Sequence, residues 1–343
     1  MARKREATNP QEAKPKAIKP PMLLEKTQVI LKQLEVALDQ PVITYWNSNK
    51  GSICHNDVSG LYGLLQSVGK VDRLCLFIKS DGGNGQASLR MVNLLRQYVK
   101  KLTVLAPFEC QSAATMLALG ADNILMGPLA HLSAVDTSLT HDLSPIDRDN
   151  DRVSVSQDEL QRVINLWRRQ ARGEKSNPYG ALFQYVHPLV IGAVDRSSAL
   201  STKLCLEILS YHLKDAQKAK KISNVLNSGY PSHSYPITLR EAQRIGLHAE
   251  SMEDSVNHLL FELNAVYAEM GQNAYIDYDA RNAHDNSISN IMEANGLQIF
   301  FQLDKDWHYR AEERRWVALN DKSGWKKAQI AAGKISVTTF HIR

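Results

Sequence analysis

Two glycines and a serine carry the most legible chemistry in this chain. Gly82 and Gly83 follow the apolar run RLCLFIKS (73–80), and Ser112 heads the small-residue segment SAATMLALGAD (112–122). Lacking a Cβ, the glycines let backbone N–H groups approach a ligand oxygen closely. At a helix start the first N–H groups are unpaired and the dipole is positive. Ala113 and Ala114 leave room there for a substrate carbonyl. The N–H groups of Gly83 and Ala113 would then form an oxyanion hole around Ser112 Oγ, each worth roughly 3–4 kcal/mol to an acyl-transfer transition state. A plainer reading of the same residues is a turn at Gly82-Gly83 and an N-cap at Ser112. No GxSxG elbow and no GxGxxG fingerprint is present, so DGGNG (81–85) is a poor phosphate loop.

Buried parallel strands and crossover helices have to position these groups. VITYW (42–46), RLCLFIKS (73–80), LTVLAP (102–107) and NILMG (123–127) read as strands. Helices are expected at 23–39, from a cap at Asp57 to about Val68, at 85–101 and at 112–122. This alternation implies an α/β fold with a mostly parallel sheet and right-handed crossovers. After Leu143 the pattern turns helical, at 158–171, 188–213, 214–227, from Thr238 to Gly246, and at 253–269. Residues 1–22, with four prolines and six basic side chains, read as a disordered basic tail. Residues 23–270 form the main domain, and 271–343 a linker and a small Trp-rich, partly β accessory region.

Composition narrows the function classes. The chain has 343 residues, 43% hydrophobic and 22% charged, as a globular protein does. Its net charge of +5 is concentrated in the tail, so nucleic-acid binding is not implied. No run approaches a membrane span, and the basic N-terminus has no apolar core behind it, which makes the cytoplasm the default address. The four cysteines are widely spaced and form neither a disulfide framework nor a zinc motif. The stretches WHYRAEERRW (307–316) and GWKK (324–327) interleave aromatic and basic residues. They can form a small aromatic core, stack bases or bury a protein partner.

Taken together, SDGG (80–83), QSAATMLALGAD (111–122), MGPLAHLSAVD (126–136), HPLVIGAVDRS (187–197) and SHSYPITLREAQRIGL (232–247) resemble the serine dehydrogenase proteinase family. That family is related to the Clp peptidase subunit and to signal peptide peptidase A, on the Clp/crotonase fold. The likeness covers about residues 41–250. It implies a serine peptidase with Ser112 as nucleophile, Asp136 as acid and His233 as base. This is a Ser-Asp-His chain order, in which the two partners have exchanged the places they hold in Clp peptidase. The family's Pro-Ile-Asp-Pro run is here Ala134-Val135-Asp136-Thr137, without its flanking prolines. Asp147, in Pro145-Ile146-Asp147, is an alternative acid. His131, His187 and Lys203 are alternative bases, the last by analogy with a Ser/Lys dyad.

The implied reaction cleaves peptide bonds in a peptide or protein substrate and needs no metal or nucleotide cofactor. The resemblance also implies a homo-oligomer. An acyl-CoA-processing crotonase-like enzyme would use the same two backbone donors, and an interaction scaffold with a decayed site would use neither. Fluorophosphonate labelling that disappears in Ser112→Ala separates the peptidase from both.

Overall fold

The structure, a computed structural model, describes residues 18–136, 138–148, 151–170, 177–331 and 333–342, so most of the basic tail expected at 1–22 lies outside them. Five parallel strands build the core of a nine-stranded sheet: Val42–Asn47, Val71–Lys79, Val99–Ala106, Asn123–Met126 and Ala249–Ser251, side by side in chain order. The sheet is buried on both faces, as its near-continuous apolar runs require. In the first strand Ile43 and Tyr45 enter one core layer, while Val42 and Trp46 enter the other. Helices Asp57–Val68 and Gly85–Tyr98 cover the first face, and Leu24–Leu38 and Asp254–Met270 pack together on the second. The α/β class with a mostly parallel core and crossover helices is therefore as expected.

Three local expectations shift. The helix from Gly85 ends at Tyr98, because β-branched Val99 is already extended, so the next strand begins before Leu102. The helix after Ser112 spans only Ala113–Ala118, and Gly120 then donates to Leu117 O to turn the chain. Asp57 opens its helix without capping it; the carboxylate turns back to accept the Cys54 N–H and the Tyr45 hydroxyl, at 2.6 and 2.7 Å.

The C-terminal region joins the same sheet. Strands Ile288–Ala294, Leu297–Gln302, Gly324–Ala331 and Lys334–Thr339 add antiparallel beside Val42–Asn47. A second antiparallel sheet, Tyr275–Asp279, Asn282–Asp285, Lys305–Arg310 and Arg315–Leu319, carries Trp307 and Trp316. Trp325 packs against Phe301 in the main sheet instead. One buried carboxylate ties these parts together. Glu293 accepts from Thr27, Gln28, Tyr267 and Gln298, at 2.5–2.8 Å, with no cation among those partners. Burial pushes its pKa up against the pull of those donors. Glu293→Ala would remove the acceptor that four buried donors share, and Gln298 Nε2 has no other acceptor among the described residues, so a loss of about 2–4 kcal/mol is expected in chemical unfolding.

Candidate active site

The Gly-Gly turn and Ser112 are brought together by two backbone bonds. Ser80 N–H donates to Glu109 O at 3.0 Å, and Gln111 N–H donates to Ser80 O at 2.9 Å. Gly82 then lies so close that a Cβ added to it would fall 2.6 Å from Ser112 Cβ and 3.1 Å from Ala113 N. Its φ of +111° also favours glycine.

Ser112 has φ +52° and ψ −117°, a conformation that costs a residue with a Cβ about 1–3 kcal/mol. Its side chain makes no capping bond, which separates it from a plain N-cap. A buried chain of hydroxyls holds the strained backbone. Ser112 N–H donates to Ser133 Oγ at 2.8 Å, Ser133 N–H to Thr115 Oγ1 at 3.0 Å, and Thr115 Oγ1 to Cys110 O at 2.7 Å. Sequence reasoning missed Ser133, because a serine inside LAHLSAVD carries no signal of its own.

The N–H groups of Gly83 and Ala113 have no acceptor among the described residues. Both are available to an anionic oxygen. Gly83 sits at φ +141°, and a Cβ there would fall 2.6 Å from Ile53 N. Gly83→Ala is expected to lower stability by about 1–3 kcal/mol in thermal unfolding and to displace this N–H.

Asp136 and His233, 97 residues apart, meet: His233 Nδ1 and Asp136 Oδ1 are 2.9 Å apart. Each is carried by anchored backbone. Val135 N–H donates to Leu226 O at 2.9 Å, and Val135 O accepts Ser201 Oγ at 2.7 Å, anchoring the segment before Asp136 without flanking prolines. The His233 loop is closed at one end by Tyr230 stacked on Tyr235, with centroids 4.8 Å apart. At the other end Ile237 and Leu132 exchange backbone bonds at 2.9 Å. The hydrogen bond that His233 donates to Asp136 raises the His233 pKa above 6.5, against the opposing effect of partial burial. With Nδ1 on the carboxylate, Nε2 is left for a proton transfer. No hydrogen bond joins the His233 ring to Ser112 Oγ; catalytic links of this kind are often long without substrate.

The alternative residues stand elsewhere. Lys203 is exposed on the helix Pro188–Ser210. His187 caps that helix, its Nδ1 accepting the Leu189 N–H at 3.2 Å. His131 Nε2 faces Gln111 Nε2 at 3.1 Å, and Asp147 is exposed in a turn that it closes with Asp151.

A pocket of about 300 Å³ opens beside Ser112, with Met116, Leu200 and Leu204 as its apolar wall and Ser138, Ser197 and Ser201 as polar lining. Asp136 and His233 lie outside that lining. A larger cleft of about 510 Å³ between Lys70 and Tyr211 holds no serine, threonine or cysteine, so size alone does not locate the chemistry. Among the described residues no group of three or more His, Cys, Asp or Glu side chains can hold a metal ion, and no helix is long and apolar enough to cross a membrane.

No family model matches the chain. Two uncharacterized proteins of Methanocaldococcus jannaschii, MJ0137 and MJ1495, are each 24% identical to it, over 198 and 204 residues, or 55% and 59% of this chain. The chain spans 57% and 60% of the length of these curated relatives. Among solved structures, a mutant of the 1510-N membrane-bound stomatin-specific protease aligns at TM-score 0.38 and 12% identity, covering 67% of this chain and 86% of its own. ClpP1 from Listeria monocytogenes aligns at TM-score 0.34 and 14% identity, covering 68% and 99%.

Proposed function

We propose that this protein is a serine peptidase with Ser112 as nucleophile, His233 as base and Asp136 as the group that orients and stabilises the imidazole. The observation that carries the reading is the 2.9 Å contact between His233 Nδ1 and Asp136 Oδ1. It is supported by the strained Ser112 backbone beside two unpaired N–H groups.

His233 Nε2 takes the Ser112 proton as Oγ attacks a peptide carbonyl. The carbonyl oxygen gains the negative charge and rests on the Gly83 and Ala113 N–H groups. The tetrahedral species collapses, and the leaving amine takes the proton from His233. Water then attacks the acyl-enzyme with His233 again as base, which frees the acid product and restores Ser112. Asp136 keeps Nδ1 protonated and stabilises the imidazolium, so chain order is immaterial to its role.

The substrate is a peptide or an unfolded protein. Self-association is part of the reading, supported by exposed apolar side chains at Val163, Leu166, Tyr185 and Leu189. Peptide release from unfolded casein, with and without fluorophosphonate pretreatment, tests the proposal. Release blocked by the reagent is the expected result. Absence of release, or release indifferent to the reagent, contradicts it.

A further inference from the structure

The unpaired N–H of Gly83 is bracketed by a loop that the C-terminal strands hold in place. Ile53 grips both neighbours of Gly83: its N–H donates to Gly82 O, and its C=O accepts from Asn84 N–H, each at 2.8 Å. Ile53 is in turn flanked by two bonds. On one side Ser52 O accepts the amide of Asn290 at 2.9 Å. On the other, Cys54 N–H donates to the Asp57 carboxylate at 2.6 Å. The Asn290 amide also donates to Asp57 Oδ1, at 3.0 Å, which closes the arrangement. Tyr45 OH, at 2.7 Å, completes the shell around Asp57. Both Asp57 and Asn290 are buried. The strand carrying Asn290 makes two further close approaches to this loop. Ser48 N–H donates to Ser289 O at 2.8 Å, and a Cβ on Gly51 would run into that same carbonyl.

We infer that Asn290 and Asp57 form a clamp through which the C-terminal strand Ile288–Ala294 sets the position of the Gly83 N–H for the oxyanion, making Asn290 a positioning residue for catalysis. The inference rests on the peptidase reading and deepens it. It assigns a catalytic purpose to a segment outside the stretch that resembles known peptidases. The physical reason is leverage. A backbone donor between two residues bonded to one partner follows that partner, and displacements of about 1 Å at a reacting centre can cost on the order of a hundredfold. Burial keeps water from replacing the lost amide, so the loop moves when Asn290 is truncated.

The test compares Asn290→Ala with Glu293→Gln. Glu293 sits on the same strand but contacts Thr27, Gln28, Tyr267 and Gln298, away from this loop. In Asn290→Ala, kcat on a peptide substrate is expected to fall about 10–100-fold with KM within about threefold. Affinity for a peptide boronate, whose oxygen occupies the oxyanion position, should fall by the same factor. Amide hydrogen exchange at Ile53 and Asn84, whose N–H groups make the bonds on either side of Gly83, should quicken at least about tenfold. Glu293→Gln should lower the unfolding midpoint and leave all three readouts unchanged. Unchanged exchange at Ile53 and Asn84 in Asn290→Ala overturns the clamp. So does an unchanged kcat in a protein whose Ser112→Ala variant is inactive, and the peptidase reading then stands. Hydrolysis that survives Ser112→Ala overturns the peptidase reading, and with it the clamp's catalytic meaning.

Discussion

Ser112→Ala is expected to cut hydrolysis of unfolded protein at least about a thousandfold, to the residue left by the backbone donors and substrate binding alone. Ser112→Gly is expected to be equally inactive yet more stable than Ser112→Ala by about 1 kcal/mol, read as a higher unfolding midpoint. The reason is the backbone. At φ +52° and ψ −117° any Cβ is unfavourable, and glycine removes that cost. The N–H bond to Ser133 Oγ belongs to the main chain and persists in both variants. The pair of results would identify Ser112 as a residue whose strain is retained for its hydroxyl. A glycine variant no more stable than the alanine would show that the site stores no strain.

His233→Ala is expected to lower kcat/KM about 10³–10⁴-fold, and Asp136→Asn by up to about 10⁴ with a changed pH profile. In the wild type the base must be neutral, and Asp136 raises its pKa above 6.5. The acid limb of kcat/KM should therefore lie above pH 6.5. In Asp136→Asn the raising influence is gone while partial burial still lowers the pKa, so the limb should move down. Stability has the opposite dependence. A raised folded-state pKa contributes stability that is complete below about 6.5 and is lost as pH rises through the folded value. The ring is about half exposed, which keeps that contribution small. A limb that does not move in Asp136→Asn would detach Asp136 from the base.

The parallel core was legible because its signals are local. Apolar runs such as LCLFI (74–78) allow little but a buried strand, and Gly246, in the left-handed region, ends the helix Leu239–Ile245 as its spacing requires. At Gly83 and Ser112 the residues alone allow both a close-approach site and a plain turn with an N-cap; what separates the two is the positive φ of Ser112 and its uncapped side chain. The pairing of Asp136 with His233 could not be read from spacing, since it depends on how a long helical excursion returns to the sheet. The C-terminal strands were harder still. ISNIMEA (288–294) is buried throughout, yet Ser289, Asn290 and Glu293 break its alternation. The polarity of Asn290 and Glu293 is satisfied by partners at Ser52, Asp57, Thr27 and Gln28, far away in sequence, so a strand inside the sheet reads as a linker. The same long-range bonds hide the role of Asp57, whose position at a helix start reads as a cap.

The most direct measurement is the site of fluorophosphonate attachment, mapped by mass spectrometry of the digested protein. A single adduct on Ser112 Oγ, formed far more slowly in His233→Ala, is the predicted result. An adduct on another residue, none at all, or attachment to Ser112 at an unchanged rate in His233→Ala would contradict the account.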